Sequence, residues 1–208
     1  MKCSLFVRID MVKKNTKQEI LEVALDLFSR NGYEATSMSD ISNAVGIRKA
    51  SLYAHFESKQ DILDSLLVYI DEKYKKHSIF SNFNFENLND NPSFIVEEVK
   101  KQVSYIVNNS YVSKIRKLFT IEQFQNNRFV DLQQAYSYDN VMTFGIELIE
   151  HLINKKIIVN EDVDSMAAQF VLPISMWIAM CDRDPSRIDE VMNLIEKHVI
   201  QFFKIYKR

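Results

Sequence analysis

Three glycines and three prolines in 208 residues leave this chain few places to reverse direction. That scarcity excludes a loop-rich, disordered or collagen-like chain. It also argues against a β-sandwich, whose tight turns demand glycine. What remains is helix, and the predicted fold class is all-α. The length suits one or two domains with a proper hydrophobic core.

Charge narrows the field further. Lys and Arg total 26 against 28 Asp and Glu, for a net charge of −2 and a pI of about 6.1. A uniformly basic nucleic-acid binder is excluded, but a local basic face is not, because binding responds to the field at one surface. Residues 1–77 carry 12 basic and 11 acidic groups, and 78–208 carry 14 and 17. Five cations (Lys2, Arg8, Lys13, Lys14, Lys17) fall in the first 17 residues beside one acid, Asp10. Residues 1–14 read as a flexible, solvated basic arm. Met11 opens a basic stretch of its own, so residues 1–10 read as either an upstream start or a leader. Cys3 and Cys181 are far apart and near no ligand-spaced histidine, which fits a reducing cytoplasm rather than a disulfide framework. The apolar stretch that ends at Arg8 is too short for a signal core. Phe170 to Cys181, interrupted by Pro173 and Ser175, is too short to span a bilayer, so no membrane partner is expected.

Helical periodicity then divides the chain. Thr16 and Glu19 have capping-box spacing, Ile20, Ala24, Leu27 and Phe28 follow on one face, and Asn31-Gly32 stops the helix. Ser37 with Asp40 starts a second helix, which carries Ile41, Ala44 and Val45 and ends at Gly46. A third is predicted over about 48–54, with Leu52 inward and Phe56 just beyond. Ser58 caps a fourth, striped by Ile62, Leu66, Leu67 and Ile70. Residues 78–92, rich in Asn, Ser and Phe, read as a linker, with its three Phe docking in part on something. Further helices are predicted over 93–109, 113–125, 127–136 and 138–156. The last two start at Asn160 and at Asp184-Pro185, the first kinked by Pro173.

Residues 37–56 have the form of a helix-turn-helix. Such a motif needs Gly46 for the left-handed turn, a small residue where the helices touch (here Ala44), and anchors Ile41, Val45, Ile47 and Leu52. Its second helix presents its first turn to the DNA major groove through Arg48, Lys49, Ser51 and Tyr53. Arg and Lys read guanine edges or hold phosphates, and Ser and Tyr donate to phosphate oxygens.

The run Gly32 to Leu63 resembles the DNA-binding domain of the TetR/AcrR family of transcriptional regulators. The matching positions are Gly32-Tyr33, Ala35-Thr36-Ser37, Asp40-Ile41, Ala44-Val45-Gly46-Ile47, Leu52-Tyr53, His55-Phe56 and Lys59. The similarity covers about 50 residues, from Ile20 to Ile70. It implies that Ser37 caps the second helix against a phosphate, that Lys49 and Ser51 lie on the recognition helix, and that Tyr53, His55 and Lys59 hold the DNA backbone. Two positions depart from the family. Arg48 stands where Ser or Thr is frequent, which loses a cap and adds a cation. Ala50 stands where Gly is frequent, which limits the backbone's approach to DNA.

The implied architecture is a helix-turn-helix domain at 15–60, a connecting helix four at 61–77, and a helical ligand-binding and dimerisation domain at 78–208. The final helix has one apolar stripe (Ile188, Val191, Met192, Ile195, Val199, Phe202, Phe203, Tyr206), and the helix before it is apolar nearly all round. A domain core covers one side only, so a second copy is expected on the other, through Phe170, Ile174, Met192, Ile195, Val199 and Phe202. An effector cavity is expected among Phe119, Phe124, Met142 and Trp177, with Glu122, Gln123 and His151 as polar contacts.

No phosphate loop, H-E-x-x-H, C-x-x-C or nucleophile elbow occurs. No enzyme activity, cofactor or metal site is expected. The predicted function is a cytoplasmic, homodimeric, ligand-responsive DNA-binding regulator. It acts as a repressor that leaves a palindromic operator when an unidentified small apolar or amphipathic effector binds. The competing reading is a protein-binding coactivator or interaction module on the same fold.

Overall fold

The computed structural model describes residues 16–77, 83–88 and 91–208. The basic arm, the question of residues 1–10 and Cys3 lie outside the described residues. Ten α-helices are described. The first four are α1 Thr16–Asn31, α2 Met38–Val45, α3 Lys49–Tyr53 and α4 Lys59–His77. After them come α5 Pro92–Asn108, α6 Ser110–Glu122, α7 Asn127–Gln134, α8 Asn140–Asn154, α9 Val163–Arg183 and α10 Ile188–Tyr206. Contacts divide the chain into two compact units, with the boundary between Tyr69 and Ile70 inside α4.

In the first unit, α1 buries Ile20, Leu21, Ala24, Leu25 and Phe28. The chain then turns through Gly32 at φ +83°. Thr36 ties this turn down: its Oγ1 donates to the Gly32 carbonyl at 2.8 Å. Helix α2 opens on a capping box. The Asp40 amide donates to Ser37 Oγ at 3.1 Å, and Ser37 N–H donates to Asp40 Oδ2 at 2.8 Å. The Ser37 hydroxyl and, after it, the Ser37 N–H, both donating to Asp40 Oδ2, hold the Asp40 carboxyl below its ordinary range. Gly46, at φ +80°, ends α2 and lets its own amide and that of Ile47 reach the Ser42 carbonyl.

Ala44 is exposed and does not mediate the contact between α2 and α3; the small buried residue of α2 is Ser42. With Met38 and Ile41 buried, the inward stripe runs 38, 41, 42, and position 44 lies off it.

In the second unit, α9 lies against α8 along its length, and α10 packs on both α5 and α9. The close approach of α8 and α9 depends on Gly145: a Cβ there would sit 3.0 Å from Val171 Cγ1. Helix α9 starts on an Asp162 cap, two residues beyond the Asn160 expected from sequence. Its 21 residues are long and apolar enough to cross a membrane by composition alone. Yet Met166, Ala167, Phe170, Val171 and Cys181 face the core. Pro173 sits inside α9 and removes one backbone donor. Near this break, the His198 ring meets the Phe170 carbonyl at 2.9 Å through Nε2. A carbonyl only accepts, so Nε2 carries the proton. Of the 78–92 segment, residues 83–88 and 91–92 are described. Phe83 meets Phe144 edge-on and Phe85 packs tilted against it, and Lys155 bonds Glu86 at 3.0 Å, which pulls Glu86 below the usual carboxylate range.

Candidate DNA-reading helix and effector cavity

Helix α3 is five residues long and could not exist alone, since a nucleus that short is unstable in water. It is held by Leu52 and Phe56, both almost fully buried. Its N-cap, Arg48, makes no side-chain cap bond, so the first turn rests on backbone bonds from Ser51 and Leu52 to the Arg48 carbonyl. The consequence for the surface is direct. Arg48, Lys49, Ala50, Ser51, Tyr53 and His55 are all exposed, as is Ser37 at the head of α2. The structure thus gathers two cations, a hydroxyl, a phenol and an imidazole around one short helix.

Two of the predicted contact residues are already engaged within the first unit. Ser37 Oγ donates to Asp40 Oδ2 at 2.6 Å while accepting from the Asp40 amide. Its hydroxyl proton is engaged inside the cap. Lys59 is turned inward: Nζ donates to the Tyr33 carbonyl at 2.8 Å and the Glu34 carbonyl at 3.3 Å. The ammonium also sits 4.2 Å from the Tyr33 ring centroid. Tyr33 in turn donates from its hydroxyl to Gln60 Oε1 at 3.0 Å. Lys59 therefore fastens the turn after α1 to the start of α4. Sequence alone does not show this, because a lysine at a helix start reads equally as a phosphate ligand. Lys59→Met is expected to destabilise the first unit by about 1–2 kcal/mol, after allowance for its partial exposure. The salt dependence of DNA binding should stay unchanged. Urea unfolding and binding isotherms at several salt concentrations check both halves.

The second unit holds a cavity of about 100 Å³ between α5, α8 and α9. Its walls include Ile95, Val99 and Val103 of α5, Phe144 and Leu148 of α8, and Phe170, Val171 and Ile174 of α9. None of Phe119, Glu122, Gln123, Phe124, Met142, His151 and Trp177, the residues expected to bind an effector, lines it. Phe119 and Glu122 are buried on α6, where Phe119 packs edge-on to Phe129 and Tyr136. Phe124 is 87% exposed. His151 lies beside Phe85, and Trp177 against His198. The missed signal is the α5 stripe Ile95, Val99, Val103, spaced four residues apart; its period was legible, but not the gap it faces. A second, more polar hollow of about 240 Å³ adjoins the first, lined by Phe83, Asn84, Leu88, Phe94, Glu98, Lys101 and Gln102.

The expected dimer residues also need correction. Phe170, Ile195, Val199 and Phe202 are buried within the protomer. The stripe of α10 is covered by the chain's own α5 and α9, so those four have no surface to offer another copy. Ile174 and Met192 are half-buried, and Ile174 lines the cavity. No group of three or more His, Cys, Asp or Glu side chains is placed to hold a metal among the described residues.

A short buried-anchor helix with its polar side outward, following a capped helix and a left-handed glycine, defines the class of the first unit: a helix-turn-helix module. Residues 20–66 match the model of the bacterial regulatory proteins of the tetR family. The chain is similar to the HTH-type transcriptional repressor KstR2 of Rhodococcus jostii, 38% identical over 66 residues, which are 31% of this chain and 32% of that one. It is also similar to the biofilm operon negative transcriptional regulator IcaR of Staphylococcus aureus, 48% identical over 48 residues, 23% of this chain and 26% of that one. The matches thus span about a third or less of those relatives. Over nearly the whole length only the fold is shared. A TetR family transcriptional regulator from Pseudomonas syringae superposes with a TM-score of 0.63 at 15% identity, covering 94% of this chain and 98% of that one.

Proposed function

We propose that the protein is a cytoplasmic, ligand-responsive transcriptional repressor. It binds a palindromic operator as a homodimer and leaves it when a small apolar or amphipathic effector occupies the second unit. The observation that carries this reading is the outward display of Arg48, Lys49, Ser51, Tyr53 and His55 on a helix whose inner side is Leu52. In this reading Arg48 and Lys49 contact base edges or phosphates, and Tyr53 and His55 the DNA backbone; their exposure supports it. One helix of this length touches few base pairs, whereas two related by a dyad read half-sites about 34–36 Å apart or a multiple of that.

The dimer surface we infer uses the outward apolar residues of the last two helices, Met176 of α9 and Ile200 and Ile205 of α10, which are exposed in the single chain. The named functions of KstR2 and IcaR support repression. The apolar cavity supports an effector, which shifts the equilibrium between DNA-competent and released forms by its differential affinity for them.

Selection of bound DNA from a random pool, with and without candidate effectors, tests the reading. A palindromic motif lost on effector addition is the expected result; a stable protein partner with no selected motif would favour the coactivator alternative instead. Lys49→Ala is expected to change the selected sequence and to flatten the slope of log affinity against log salt by about 1.8 per dimer if each of the two lysines neutralises one phosphate. An identical motif and slope would remove Lys49 from the interface.

A further inference from the structure

The two hollows of the second unit share four wall residues: Phe83, Leu88, Glu98 and Gln102. They adjoin there, an almost wholly apolar chamber beside a more polar one. Among the described residues, Glu98 is the only ionisable one that borders both chambers. Its nearest cation is Lys101, 3.8 Å away on the next turn of α5, with a side chain 73% exposed. A pair that open to solvent is weak, and the lysine is free to swing outward. The carboxylate thus stands at the throat of an apolar chamber without a strong partner, and a carboxylate only accepts hydrogen bonds. The outer chamber adds the rings of Phe83 and Phe94, and aromatic rings attract cations.

We propose that the effector is a short-tailed organic cation: an apolar part of one small ring or a short alkyl chain in the inner chamber, and an ammonium-type head at Glu98. This rests on the reading that the second unit takes an effector, and it names the chemistry. The inner chamber limits the tail. Its roughly 100 Å³ is of the order of the dry cavity of about 150 Å³ that accommodates benzene, so a tail of about six carbons is the upper limit. An anionic head meets Glu98 first, because Lys101 borders only the outer chamber.

Hexylamine, hexan-1-ol, hexanoate and tail-less methylamine, titrated against the full-length protein with thermal stability and binding heat as readouts, test this. Hexylamine is expected to bind about tenfold more tightly than hexanoate, the ratio that one charge-assisted hydrogen bond in a partly wet site supplies. Methylamine should give no shift. Glu98→Gln should erase the preference for the amine while leaving hexan-1-ol binding in place. Val99→Phe, which fills the inner chamber, should abolish binding of both. Should Val99→Phe fail to fold, the methylamine comparison still tests the chamber. Hexanoate binding as well as hexylamine, or an amine preference that survives Glu98→Gln, overturns the proposed head chemistry and leaves the cavity as an effector site. No response to any six-carbon probe overturns both. Since the readout is binding rather than DNA release, recognition by α3 stands apart from either result.

Discussion

Phe56→Ala is expected to destabilise the first unit by about 3–5 kcal/mol, the range for removing a buried aromatic ring. DNA binding should disappear with it at ordinary temperatures. Phe56 is 1% exposed and follows α3 directly, its amide bonded to the Leu52 carbonyl at 3.0 Å. The Lys17 ammonium sits 5.0 Å from its ring centroid. A five-residue helix has no stability of its own, so its position is that of its anchors. Removing the ring leaves a void between α3 and the start of α1, and the exposed cations of α3 lose their fixed spacing. Urea unfolding followed by circular dichroism gives the stability, and operator titration the function. A variant that loses less than about 1 kcal/mol would show that Leu52 alone anchors the helix. Phe56→Leu, closer in volume, should retain most of both properties.

The second large effect is expected in the other unit. Arg116 Nε donates to Asp182 Oδ2 at 2.7 Å, and Nη2 donates to Oδ1 at 2.8 Å. The same guanidinium reaches the Ile106 carbonyl at 3.3 Å, and Ser113 Oγ donates to Asp182 at 3.0 Å. One fork therefore joins the ends of α5 and α9 to α6. Asp182 is 14% exposed and Arg116 26%. Arg116→Ala leaves the carboxylate poorly solvated and should cost about 2–3 kcal/mol, less than a fully buried pair because water still reaches the site. Arg116→Lys should recover under half of that, since an ammonium cannot make the two parallel bonds. A double-mutant cycle with Asp182→Asn isolates the pair, and a coupling near zero would mean that the ends of these helices are held by apolar packing alone. Ile106 also lines the inner chamber, so a weaker effector response should accompany the stability loss.

Local rules were legible in the sequence where a residue acts on its own chain neighbours. Ser37 and Asp40 form the box their spacing predicts, Gly46 adopts the left-handed turn, and Leu52 and Phe56 are the inward anchors. The outward set at α3 follows from the same three-and-four periodicity. Ala44 was misplaced because α2 is short, and one residue's offset from the stripe moves a side chain to solvent.

Lys59, Phe170 and Phe202 belong to a different category. A lysine at a helix start is compatible with a phosphate or with a carbonyl 26 residues away, and nothing nearby in the chain distinguishes them. The apolar stripe of α10 states that something covers it; whether that is α5 or a second protomer depends on where the chain returns. The cavity is the extreme case, because an empty space has no residue of its own. Periodicity and caps are written in neighbouring side chains and could be read directly. The partner of each apolar face, the inward turn of Lys59 and the chamber beside Glu98 arise from long-range packing, where many pairings satisfy the same pattern and only the assembled helices select one.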